Sequence, residues 1–173
     1  MSKIQKSIRQ IIKSHFLEMQ NIRHHIHRNP ELSFEEYETA NFIEKQLDNM
    51  GLSYKRMAKT GVVGYLGKPN IGKTLALRAD IDALPIVESN NTSYTSKNKG
   101  IMHACGHDVH TTWLLGALKA LTEIGDELTG QIKFIFQPGE EKIPGGASLL
   151  IKEGVLDDVD FILGQHTMPF LDV

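Results

Sequence analysis

The chain has 173 residues, 40% hydrophobic and 23% charged, and its 19 Lys and Arg against 21 Asp and Glu leave a formal net charge of −2. That balance, without a long basic stretch, argues against nucleic acid as a partner. Apolar runs such as 114–118 fall far short of the roughly 20 residues that cross a membrane, and a single cysteine excludes an internal disulfide framework.

A soluble, cytosolic protein with no membrane partner is therefore expected, long enough to bury a real core. No apolar signal-peptide core follows the charged start. Ile4, Ile8, Ile11, Phe16, Met19, Ile22 and Ile26 recur at three- to five-residue steps, which predicts one amphipathic helix ended by Pro30. Ser33 precedes Glu36 by three, a capping-box spacing, and a second helix is expected through Ala40, Ile43 and Leu47 to Gly51. Segments 61–66 and 74–79 are short, apolar or alternating and bounded by Gly and Pro, as strands are. The second runs straight into Asp80-Ile81-Asp82-Ala83-Leu84-Pro85, and 89–100 reads as a polar loop. A helix from about Asp108 to Leu121, a strand over 131–136, a helix over 147–153 and a strand over 160–163 complete the pattern. Strands alternating with helices predict an α/β layered domain around a largely parallel sheet.

In such sheets chemistry collects where strands end at their carboxyl side. Asp80 and Asp82 leave one strand, and Glu140 and Glu141 leave another through Gln137-Pro138-Gly139. His166 leaves a third, while Cys105, His107 and Asp108 sit in a loop before a helix. Thiolate, imidazole and carboxylate together suit zinc and its borderline neighbours. Cys105 and His107, separated by Gly106, can face one ion from a tight turn. Adjacent glutamates on an extended chain point apart, so one can bind metal while the other moves a proton. Each residue also has a plainer reading. A lone cysteine is usually a small buried hydrophobe, a Glu pair is usually solvated charge, and a strand-end histidine usually hydrogen-bonds. His24, His25 and His27 read as structural or surface residues, and His15 as solvent-facing. His103 and His110 read as packing or hydrogen-bonding residues beside the loop, Arg78 as an ion-pair partner and Trp113 as core. Spacing alone leaves metal and structural readings level.

Met102-His103-Ala104-Cys105-Gly106-His107-Asp108 resembles the signature of the metal-dependent amidohydrolases that include hippurate hydrolase, N-acyl-amino-acid amidohydrolases and the auxin-conjugate hydrolases of plants, within the aminoacylase and carboxypeptidase superfamily. Four further blocks agree in order: His27-Arg28-Asn29-Pro30-Glu31-Leu32-Ser33, Arg78-Ala79-Asp80-Ile81-Asp82-Ala83-Leu84-Pro85, Gln137-Pro138-Gly139-Glu140-Glu141 and Gly164-Gln165-His166. The resemblance implies a three-layer α-β-α, zinc-peptidase-like catalytic domain with a mixed, largely parallel sheet. It makes Cys105, His107, Glu141 and His166 ligands of two divalent ions (Zn, Mn or Co). Glu140 becomes the general base and Asp82 a carboxylate that orients a ligand imidazole. Asp80 stands where more distant relatives place a ligand histidine, and its role stays open. The implied reaction is hydrolysis of the amide bond of an N-acyl amino acid, a small-molecule substrate.

Members of that family run well beyond this length. They insert a lid or dimerisation domain and then return to complete the catalytic domain with one more ligand histidine. None of the eight histidines here follows His166. The resemblance therefore implies that residues 1–173 are the N-terminal part of an incomplete catalytic domain, impaired alone, with any dimerisation belonging to the lid. A Cys105-dependent hydrolase and a non-catalytic remnant are the competing readings.

Overall fold

The apolar stripe from Ile4 to Ile26 forms two helices rather than one, α1 (Lys3–Ser14) and α2 (Phe16–Arg28), in a computed structural model that describes residues 2–69, 72–125 and 128–168. His15, at φ −98° and ψ 6°, breaks the run between them. It is half-buried rather than solvent-facing, because its two ring nitrogens bridge Glu18 at 2.9 Å and Glu123 at 2.7 Å. Only α2 sends side chains fully into the core, through Ile22 and Ile26, whereas α1 has no buried residue.

The second helix, α3 (Tyr37–Asn49), buries Ala40, Ile43 and Leu47 as its spacing predicts, but it is not capped as expected. The Ser33 hydroxyl turns away to Asp82, and Glu36 turns inward. Glu31 takes over the capping. One of its oxygens accepts from the Glu38 amide at 3.1 Å and the other from the Thr39 amide and hydroxyl at 2.7 and 2.8 Å. A carboxylate at this end also meets the positive pole of the helix.

The sheet runs β1 (Tyr54–Met57), β2 (Gly61–Gly67), β4 (Gln131–Gln137), β3 (Thr74–Asp80) and β5 (Phe161–Gly164), in that spatial order. It is mixed: β1 and β4 pair antiparallel to β2, while β3 pairs parallel to β4 and β5. The unforeseen β1 carries Lys55 and Arg56, a charged strand of the kind that protects a sheet edge. On β2, Gly64 leaves room for a neighbour, since a Cβ there would stand 2.4 Å from the ring of Phe134 and 2.3 Å from the Ser53 carbonyl.

Alternation along the strands sorts the core into two layers. Val62, Phe134, Phe136 and Ala79 pack with α2, α3 and α4 (His107–Ile124), while Val63, Ile135 and Ala76 pack with Leu150 of α5 (Gly146–Lys152) on the other face. This gives the expected α-β-α layering. Trp113 is a correction, being 41% exposed. Leu114, Leu115 and Leu118 make the buried stripe of α4, and Trp113 falls on its flank, facing the β5 edge. All four residues of β5 are exposed. Among the described residues, no helix is long and apolar enough to cross a membrane.

Candidate metal centre

The connection from β3 to β4 runs through α4 on one face, and that from β4 to β5 runs through α5 on the other. Neighbouring strands whose connections leave to opposite faces open a crevice at their carboxyl ends. Asp80 and Asp82 enter that crevice from β3, and Glu140 and Glu141 enter it from β4. The register sets Asp80 opposite Gln137, so β3 and β4 finish level, and Gly164 opposite Arg78, so β5 stops two residues short of them.

His107 is the centre of the cluster. It opens α4 behind Gly106, whose φ of +86° suits glycine and turns the chain sharply from Cys105 into the helix. Its Nδ1 donates to the backbone carbonyl of Asp82 at 2.8 Å, with Asp82 Oδ1 at 3.3 Å. Asp82 thus holds the imidazole more closely through its main-chain carbonyl than through its carboxylate. That fixes the tautomer and leaves the Nε2 lone pair unpartnered in a buried position. Around Nε2 stand Asp80 Oδ1 at 3.6 Å, Glu141 Oε1 at 3.8 Å and Glu140 Oε2 at 3.9 Å. Both glutamates reach the same point, contrary to the expectation that they point apart, because they lie on a bend beyond the strand rather than on extended chain. Glu140 is the more exposed, its side chain 42% accessible against 23% for Glu141.

Cys105 and His166 complete a second side of the same centre. Cys105 Sγ lies 3.3 Å from His166 Nε2, and both join His107 in a group whose ligand atoms lie within 4.8 Å of one another. Glu140 and Glu141 form a second such group with His107, and Asp80 and His110 a third. Cys105, Glu141 and His166, the three other residues expected as ligands, each therefore share a group with the His107 imidazole.

Asp80 and His110 do different work. Asp80 accepts from Arg78 at 2.8 Å and from His110 Nδ1 at 2.6 Å, which makes the ion pair expected of Arg78. His110 Nε2 accepts from the Thr167 amide at 2.8 Å, so both its nitrogens are engaged and it ties the His166 segment to β3. His103 is buried with neither nitrogen hydrogen-bonded, and burial pushes its pKa down to about 4, so it packs as a neutral ring. His27 is buried too, held between Asp108 at 2.9 Å and Glu88 at 3.0 Å. His24 stacks on Tyr94 and His25 on Phe42, both structural roles.

Electrostatics give the cluster its character. Burial would raise the pKa of Asp82, but the adjacent His107 ring together with the Ser33 hydroxyl and the amides of Glu141 and Glu140 outweigh it and hold the value at about 2. Burial likewise disfavours a charged His107, yet Asp82, Asp80 and Glu141 raise its pKa above the ordinary value. The Cys105 thiol is pushed up to about 12 by burial and by the negative charge of Glu141, Asp80 and Glu140. Four carboxylates, an orphaned imidazole nitrogen and a thiol whose anion its acidic neighbours disfavour fit a divalent ion. Sequence reasoning missed Ser33 and Glu36, whose spacing resembles a helix cap.

Comparison with known proteins agrees. The family described as Peptidase family M20/M25/M40 matches residues 76–173. The chain is 47% identical over 145 residues to an N-acyl-L-amino acid amidohydrolase of Geobacillus stearothermophilus, covering 83% of this chain and 39% of that protein. It is 47% identical over 156 residues to the hippurate hydrolase of Campylobacter jejuni, covering 88% and 40%. The chain thus spans about two fifths of the length of these curated relatives. Among solved structures, the YXEP protein of Bacillus subtilis, described as a dinuclear metal-binding peptidase of family M20, superimposes with a TM-score of 0.88 at 41% identity, over 93% of this chain and 46% of that one. On the match to more than half of its residues, the chain belongs to the peptidase family M20/M25/M40.

Proposed function

We propose that this chain supplies the metal-binding face of a hydrolase that cleaves the amide bond of N-acyl amino acids. The observation that carries the reading is the buried, unpartnered Nε2 of His107, ringed by carboxylates and fixed in tautomer from behind. Cys105, His107, Glu141 and His166 would hold two divalent ions, drawn from Zn, Mn and Co. When bound, such ions supply positive charge that polarises an amide carbonyl and makes water more acidic. Glu140, the more exposed of the two glutamates, would take a proton from water and return it to the leaving amine. Asp82 would keep the His107 ring in its binding tautomer. A cleft of about 540 Å³, lined in part by Arg23, His103 and Met168, lies against Cys105 and His166 and would receive the substrate.

The coverage of the relatives supports a further part of the proposal, that residues 1–173 form the front of a catalytic domain whose lid and closing segment lie outside this sequence. Any dimer would belong to that lid. A Cys105 nucleophile is disfavoured because its neighbours stabilise the thiol over the thiolate.

The test is to purify the chain and measure bound metal. Turnover of N-acetyl and N-benzoyl amino acids would then be assayed with added Zn, Mn or Co, with and without chelator. Metal bound at the cluster and chelator-sensitive turnover, weak in the isolated chain, are expected. Chelator-resistant turnover would overturn the metal reading, and robust turnover by the 173 residues alone would overturn the incomplete domain.

A further inference from the structure

A segment far from the cluster in sequence grips two of its loops. Leu32 bridges to Ala83 in parallel, and the Ala83 amide donates to the Glu31 carbonyl at 2.8 Å. The Ser33 hydroxyl donates to Asp82 Oδ2 at 2.6 Å, the same oxygen that accepts from the Glu141 amide at 3.0 Å. Glu36 is 0% exposed. One of its oxygens accepts from the Gly139 amide at 2.8 Å and the other from the Thr60 hydroxyl at 2.5 Å. Between these two residues Phe34 adopts φ +65°, unusual outside glycine, and lays its ring on Gly139 so closely that a Cβ there would stand 2.4 Å from it.

Glu36 has no cationic partner within ion-pair distance among the described residues. A carboxylate buried against neutral donors is costly, and a fold keeps one where position matters. Here the held atom is the amide of Gly139, immediately before Glu140 and Glu141. Strain at Phe34, a buried unpaired carboxylate at Glu36 and a shared oxygen on Asp82 all converge on the same two loops.

We propose that segment 31–36 is a clamp in which Ser33 and Glu36 act as positioning residues, holding the Asp82 loop and the Glu140–Glu141 loop at the spacing that ion binding around His107 requires. The inference rests on the metal reading above and deepens it. Neither side chain touches the ion. Ser33 acts through Asp82, and Glu36 acts through the main chain of Gly139.

The experiment compares Ser33→Ala with Ser33→Thr, and Glu36→Ala with Glu36→Gln, in the 173-residue chain. Zinc affinity is measured by competition with a chromophoric chelator, and amide exchange at Gly139 and Glu141 is followed in the metal-free protein. Ile43→Val, a core change on α3 outside both loops, controls for lost stability. The two alanine substitutions are expected to weaken zinc binding about tenfold and to speed exchange of the two amides. Ser33→Thr and Glu36→Gln should each keep affinity within about twofold of the parent, since the first retains the hydroxyl and the second an acceptor oxygen, and Ile43→Val should bind as the parent does. Should Glu36→Ala fail to fold, Ser33→Ala still decides. Unchanged zinc affinity and exchange in a folded Ser33→Ala would overturn the clamp and leave the metal reading standing. Absence of zinc binding by the unmodified chain would overturn the metal reading, and the clamp with it.

Discussion

Cys105 and His166 lie 61 residues apart in sequence, yet the thiol sulfur and the imidazole Nε2 meet at 3.3 Å, one carried by the turn before α4 and the other by the chain leaving β5. The contact brings a soft and a borderline donor together beside His107, in surroundings that oppose thiolate formation without a cation.

Cys105 should therefore be unreactive in the metal-free chain. With its pKa raised from 9.0 to about 12, thiolate is about a thousandfold scarcer than in a free cysteine at pH 8. Iodoacetamide should alkylate the native, chelator-treated chain far more slowly than the same chain in urea. Equal rates would show that the carboxylates do not act on the sulfur.

Metal should stabilise the fold. An ion at a hundred times its Kd adds about 2.7 kcal/mol, which for a chain of this size raises Tm by roughly 5–10 °C. Differential scanning calorimetry with and without zinc reads the shift, and His107→Ala should abolish it. A rise in Tm that survives the substitution would place binding elsewhere.

The buried His27 predicts a pH dependence of stability through its bond to Asp108, the neighbour of His107. Its hydrogen bond to Asp108 raises its pKa above the ordinary 6.5, against the effect of burial and with help from Glu88. A folded value above the unfolded one contributes stability that is complete below pH 6.5 and is lost as pH rises through the folded value. Urea denaturation of the metal-free chain from about pH 5.5 to about pH 9 should show this decline relative to His27→Gln. At about pH 6 the variant should be less stable by about 1.5–3 kcal/mol, the contribution of a hydrogen bond to a charged group, since Arg23 still pairs with Asp108. A difference between the two proteins that does not change with pH would refute the assignment.

Two glycines should respond oppositely to alanine. At Gly64 the new methyl would meet the Phe134 ring at 2.4 Å and the Ser53 carbonyl at 2.3 Å, neither able to retreat, and a loss of about 1–3 kcal/mol is expected. At Gly116, within α4, it would meet the flexible end of Met19 at 3.2 Å, and the higher helix propensity of alanine should make the change neutral or stabilising by up to about 1 kcal/mol. Thermal denaturation of both variants checks the contrast.

The cluster was legible in the sequence because parallel strands deliver chemistry at their carboxyl ends. Asp82, Cys105, His107, Glu140, Glu141 and His166 all follow predicted strands or precede a predicted helix. Ser33 and Glu36 were not, because a local i, i+3 pattern reads the same whether the hydroxyl caps a helix or crosses 49 residues to Asp82. Strand β1 escaped notice because an edge strand with Lys55 and Arg56 buries too little to leave a pattern. Trp113 misled because its helix is apolar on more than the face that meets the sheet.

The pairing of Asp80 with Gln137 and of Arg78 with Gly164 makes the sheet a ruler for the chemistry beyond it. One residue inserted within β4 would advance Glu140 and Glu141 by a strand rise of about 3.3 Å and turn alternate side chains to the opposite layer. Tolerance to length change should thus be lowest in strands that carry no functional side chain themselves, and the spacing from strand to carboxylate is as much a part of the site as the carboxylate.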